Sequence, residues 1–196
     1  MRRRIFLLAP MLAGCGLSER PYAERRQWPL AVTRLAALAP RPGAKVMEVR
    51  TLRAGPGLES RGLQTLQPDG SIRIGFYEEW AVPPAQGVED ALRRWLAESG
   101  LFAGVVAPGS RAAPDFLLEG ELTALWSEPA ANIAHAALSV TVVTQRLEGG
   151  RIVLQRRFAE TAAITGIGPQ AEVQAMMSAL AVALARIEAA IRSAAP

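Results

Sequence analysis

The chain has 196 residues, half of them hydrophobic and a fifth charged, which is enough for one sizeable core and too little for two. Its formal net charge is +4 and its pI about 10.2, but Lys45 is the only lysine and three of the arginines, Arg2, Arg3 and Arg4, crowd the first positions. Without those three the body carries only about +1, which argues against the concentrated basic face needed to hold a phosphate backbone, so no nucleic-acid partner is expected.

Chain order begins with Met1-Arg-Arg-Arg and an apolar run, Ile5 to Gly14, interrupted by Pro10. Ten residues cannot span a bilayer core, which takes roughly 20. They suit the apolar region of a signal peptide. Leu12-Ala13-Gly14-Cys15 follows, and it resembles the lipobox of bacterial lipoprotein precursors. Small residues at 13 and 14 let the backbone enter a peptidase site. The Cys15 thiol would then carry a diacylglycerol, and its freed amine a further acyl chain such as palmitate. Residues 1–14 are thus expected to be a signal peptide and Cys15 the lipidation site. Cys15 is the only cysteine, so its acylation leaves no thiol for a disulfide or a thiolate-bound metal. Gly16 follows it where an aspartate usually signals inner-membrane retention. In a Gram-negative cell the resemblance therefore implies the outer membrane, periplasmic face.

Residues 15–43 read as the lipidated N-terminus and a tether, because Pro21, Pro29, Pro40 and Pro42 limit regular structure. Leu30, Val32, Leu35 and Leu38 are expected to lie across the surface of a domain that occupies 44–196. "KVMEVRTLRA" from Lys45 has a strand pattern, and Gly55–Leu58 a turn. Pro68-Asp69-Gly70 predicts the turn of a hairpin. Pro83-Pro84 opens a helix in which Val88, Ala91, Leu92, Trp95 and Leu96 form one stripe, ended near Gly100. "LFAGVVA" predicts a short strand. In "PDFLLEGELTALW" simple alternation puts Phe116, Leu118, Leu122 and Trp126 on one face and Asp115, Glu119, Glu121 and Thr123 on the other. Two strands flank Glu148-Gly149-Gly150. A last helix runs from about Pro169 to Arg192, with Val173, Met176 or Met177, Leu180, Leu184, Ile187 and Ile191 at spacings of three and four. Two main helices on one mixed β-sheet make a single α/β domain, or α+β in the looser sense.

Chemistry is sparse along this chain. The one histidine, His135, sits among alanines in a strand with no nucleophile or orienting group beside it. With one histidine and an acylated cysteine, no metal site is expected. Glu78 and Glu79 point to opposite faces of a strand. Glu119 and Glu121 share a face, but a solvated one. Gly166 and Gly168 lack the lysine and third glycine of a phosphate loop, and Ser110 lacks the flanks of a nucleophile elbow. No catalytic residue and no cofactor is therefore expected. Phe76, Tyr77 and Trp80, at a strand-to-helix junction, are large and amphipathic and form the candidate docking surface, with core packing the competing reading.

One series of motifs points to a family. "FYEEWAVPP" leads into a helix ending "WLAESGLFAGVV", followed by "PDFLLEGELTALW". Phe76, Trp80, Pro83, Pro84, Ser99, Gly100, Phe102, Asp115, Phe116 and Leu118, with Pro56-Gly57-Leu58 upstream, resemble the ABC-type transport auxiliary lipoprotein family (DUF330-like) in order and spacing over about 44–192. The resemblance implies an α/β layer around a mixed sheet. It also implies a non-enzymatic lipoprotein that works with an MCE-type ABC system moving phospholipids or other apolar molecules between inner and outer membranes. Its partners would be an MCE-domain protein, a permease and an ATPase, and ring-forming partners are compatible with a homo-oligomer. The chain itself has no Walker A sequence and reads as neither ATPase nor permease. An envelope-assembly scaffold unrelated to transport is the alternative for the same tethered sheet.

Overall fold

The computed structural model describes residues 24–145 and 149–194. Cys15, the signal-peptide segment and Glu148 lie outside the described residues. The elements are β1 (Arg26–Trp28), β2 (Lys45–Val49), β3 (Arg53–Ala54), β4 (Gly62–Leu66), β5 (Ile72–Trp80), α1 (Pro84–Ala97), β6 (Phe102–Val106), β7 (Phe116–Glu128), β8 (Ile133–Thr144), β9 (Ile152–Ala163) and α2 (Pro169–Ala194).

The spine is β7. Along one side it pairs antiparallel with β8, and β8 with β9, as a meander. Along its other side three short strands follow one another in parallel: β2 against Phe116–Leu118, β3 against Glu121 and Leu122, and β4 against Ser127. β6 widens the sheet beyond β2. β5, then β1, widen it beyond β4. The described sheet is thus mixed and nine-stranded, and the chain is a single α/β domain.

Alternation decides which face is covered. Leu118 and Leu122 of β7 lie across from Val142 and Leu138 of β8 and Leu154 and Phe158 of β9, and this face carries both helices. From α1 come Val88, Leu92 and Leu96; from α2 come Val173, Met176, Leu180, Leu184, Ile187 and Ile191, all buried in one core. The periodicity of both helices is therefore as the sequence has it. α2 is long and apolar enough to cross a bilayer by composition alone (hydropathy 1.4), yet half of that window is buried against the sheet, as befits a core helix. The other face is polar. It carries Glu119, Glu121, Ser139, Thr141 and Arg157, and Arg50 and Arg53 pair with the two glutamates at 3.0 and 3.2 Å.

Three features depart from the sequence reading. Residues 26–32, placed there in the tether, are built into the domain. β1 adds to the sheet, and Leu30 and Val32 are buried in the core. Leu30 lies so close to α1 that a Cβ on Gly87 would sit 3.1 Å from its own Cβ, which is why a glycine is tolerable inside that helix. Trp126 does not share the face of Leu122. The β7–β8 register slips between Leu122 and Ala124, and this bulge turns Leu125 inward and Trp126 outward. The strand expected over Lys45–Ala54 is split, with β2 and β3 separated where Arg50 bonds to the Leu118 carbonyl.

Candidate functional site

The aromatic cluster at the end of β5 is divided by the fold. Trp80 is 1% exposed and belongs to the core, so it is no part of a docking surface. Phe76 is 68% exposed and Tyr77 48% exposed. Plain alternation would have put Phe76 and Trp80 on one face. The register explains the split: Gln64 of β4 faces Ile74, but Gly62 faces Glu79, so β5 carries a wide bulge between them. Gly75 sits in that bulge with its Cα so close to the Glu78 carbonyl that a Cβ would approach it to 2.7 Å. The bulge pushes Phe76 and Tyr77 out while the strand beyond it rejoins the core at Trp80.

Phe76 and Tyr77 make an edge-to-face pair with centroids 5.0 Å apart, and the Arg25 guanidinium lies 5.0 Å from the Phe76 ring centre. Ile72 and Ile74, earlier in the same strand, are also exposed. Sequence reasoning passed over these two. The signal was present in the alternation of Ile72-Arg73-Ile74, but nothing local says that β5 lacks a full-length neighbour on its outer side. β1 reaches only Glu78–Trp80.

Polar residues singled out from the sequence are held in structural pairs. Glu78 accepts from Trp28 Nε1 at 2.6 Å, and Glu79 from Gln27 and Arg61 at 2.8 and 3.1 Å, so the two carboxylates serve different partners. His135 Nε2 lies 3.0 Å from the Glu128 carboxylate, and its ring packs on Trp126. Among the described residues no hydroxyl or thiol is hydrogen-bonded to it. Gly166 and Gly168 form the loop ahead of α2, and Ser110 lies in the loop after β6. Among the described residues, no group of three His, Cys, Asp or Glu side chains is placed to hold a metal ion.

A second feature was not legible in the sequence. Residues 33–39 run as a strap across both helices and, with α1 and α2, line a groove of about 590 Å³. Glu188 of α2 is its polar centre. It pairs with Arg34 and accepts from Trp95 Nε1 at 2.9 Å and Arg192 at 2.5 Å. The Arg34 guanidinium also lies 5.6 Å from the Trp95 ring centre. Leu38 ties the strap down through its N–H to the Glu98 carbonyl at 2.8 Å.

Comparison with known proteins now bears on the chain as a whole. The ABC-type transport auxiliary lipoprotein component family matches residues 29–188. The chain belongs to that family. The matched span takes in Leu30 and Val32, in keeping with their place in the core, and makes the protein an auxiliary component of ABC-type transport. Solved structures share its fold. One, an uncharacterized protein, has a TM-score of 0.70 at 16% identity over 86% of this chain and 99% of that one. Protein XCC0632 from Xanthomonas campestris, of the DUF330 family, has a TM-score of 0.65 at 19% identity over 78% of this chain and 89% of that one. The hypothetical protein CT253 from Chlamydia trachomatis has a TM-score of 0.55 at 11% identity, covering 77% of this chain and 99% of that one. No curated protein matches the sequence.

Proposed function

We propose that this family member is a non-enzymatic accessory of an MCE-type ABC system that moves phospholipids or other apolar molecules between inner and outer membranes. It would be acylated on Cys15 and held at the periplasmic face of the outer membrane. The observation that carries the reading is the family match over residues 29–188. The Leu12-Ala13-Gly14-Cys15 box supplies the anchor, and two or more acyl chains would hold the protein stably where one would not. Glu78, Glu79, His135 and Glu188 are each paired within the fold, which suits an adaptor. Isolating the native complex in mild detergent from its own cell tests the proposal. An MCE-domain protein, a permease and an ATPase should co-purify with the acylated chain. An acylated, correctly anchored chain that brings down none of the three overturns it.

A further inference from the structure

The exposed apolar side chains of β5 form a ledge along the open edge of the sheet, standing on both of its faces. Ile72 and Ile74 stand on the face of their partners Leu66 and Gln64, whereas Phe76 and Tyr77 line a cleft on the opposite face with Thr65 and Arg73. Fully exposed Ile167 lies two residues ahead of Pro169, which shares a small cleft with Phe76 and Tyr77. Large apolar side chains gathered in the open along one strand mark an interaction site. Three observations bear on what covers it.

The wide bulge interrupts the ladder of β5. A neighbouring protein strand would find little continuous edge to pair with, since a bulge twists an edge away from strand addition. The N-terminal chain enters the fold at this place. β1 is the neighbour of β5, and Arg25, one residue ahead of β1, stacks on Phe76. The chemistry is that of a bilayer interface: aliphatic and aromatic bodies, a phenol hydroxyl, and the guanidiniums of Arg25 and Arg73 beside the aromatic pair.

Tether length adds a distance. Eight residues separate Cys15 from Glu24, a reach of roughly 30 Å at full extension. A domain of this length is about 40 Å across. A chain anchored at Cys15 therefore keeps the root of the tether, and with it the ledge, closer to the headgroups than its far side can come.

We propose that Ile72, Ile74, Phe76 and Tyr77 form a membrane-contact surface that seats the domain on phospholipid, with Arg25 and Arg73 meeting the phosphates. The inference rests on the reading of Cys15 as the membrane anchor, and the experiment separates the two. The full chain carrying Ile74→Cys or Tyr77→Cys, bearing an environment-sensitive fluorophore, is placed on vesicles of phosphatidylethanolamine and phosphatidylglycerol containing nitroxide-labelled acyl chains. One preparation comes from its own cells. In the other, Cys15→Ser removes the acylation site and an N-terminal histidine tag holds the chain to nickel-chelating lipid. Thr141→Cys, on the open polar face, is the reference. The labels at 74 and 77 should be blue-shifted and quenched several-fold more than the label at 141 in both preparations. Equal quenching at all three sites of the tagged chain overturns the membrane contact, and points to a protein partner for the ledge. Quenching in the tagged chain, with a cell-derived chain that fails to float with vesicles, keeps the contact and sinks the acyl anchor.

Discussion

Glu188 offers the sharpest test of how the N-terminal strap is held. Its side chain is 8% exposed and that of Arg34 16%, whereas Arg192 is 43% exposed. Glu188→Gln keeps the volume and an acceptor for Trp95 Nε1 but removes the charge that two guanidiniums share. Breaking a fully buried pair costs about 3–5 kcal/mol. Here the groove is open and Arg192 can turn to solvent, so only Arg34 is left poorly compensated, and screening reduces the cost to about 2 kcal/mol. For a domain of this size that lowers Tm by roughly 4–8 °C. Urea unfolding followed by tryptophan fluorescence should show a lower midpoint with an unchanged slope. Arg34→Gln should cost a similar amount. The double variant should lose less than the sum of the singles by at least ~1 kcal/mol, because the second change removes a partner already lost. Strict additivity, or a Glu188→Gln midpoint equal to that of the parent, would refute the pair as the fastening of the strap.

Two further tests concern turns. Gly100 has φ +70°, and a Cβ there would lie 2.7 Å from the Ala39 carbonyl oxygen and 2.9 Å from Leu38 Cβ, whereas Gly109, at φ +84°, has nothing within 4 Å. Gly109→Ala should therefore cost only about 1 kcal/mol of backbone strain, and Gly100→Ala about 2 kcal/mol or more because the strap must also shift; equal losses in urea unfolding would remove the packing argument. At the tip of the β4–β5 hairpin, Asp69 accepts from the Ser71 hydroxyl at 2.7 Å and from its N–H at 2.9 Å, which together hold the Asp69 carboxyl below its ordinary 3.8. The turn is thus favoured at pH above the ordinary value, and that contribution is lost as pH falls through the lowered pKa of the folded state. Carboxyl NMR titration should show the low midpoint, and Ser71→Ala should raise it; an unmoved midpoint would contradict the hydrogen-bond origin.

Local pattern carried much of this protein. The stripe from Val173 to Ile191 and that from Val88 to Leu96 mark helix faces because side chains three and four apart share one side of a helix whatever lies opposite. Pro68-Asp69-Gly70 marks a turn because its residues favour that backbone on their own. Family membership was legible for the same reason, since the motifs from Phe76 to Leu118 are strings of neighbours. What only the tertiary structure decided concerns partners distant in the chain. β1 has three residues and a proline behind it, and exists because Glu78–Trp80 offer it an edge. Trp80 is buried and Phe76 exposed because β4 pairs with β5 on both sides of a bulge, and Trp126 faces away from Leu122 because β8 imposes a slip in register. Glu188 looks like any surface residue of an amphipathic helix until Arg34 and Trp95, on two other segments, close around it. Propensity and periodicity are properties of neighbours along the chain, whereas register and charge pairing are set by segments that meet only when the sheet closes.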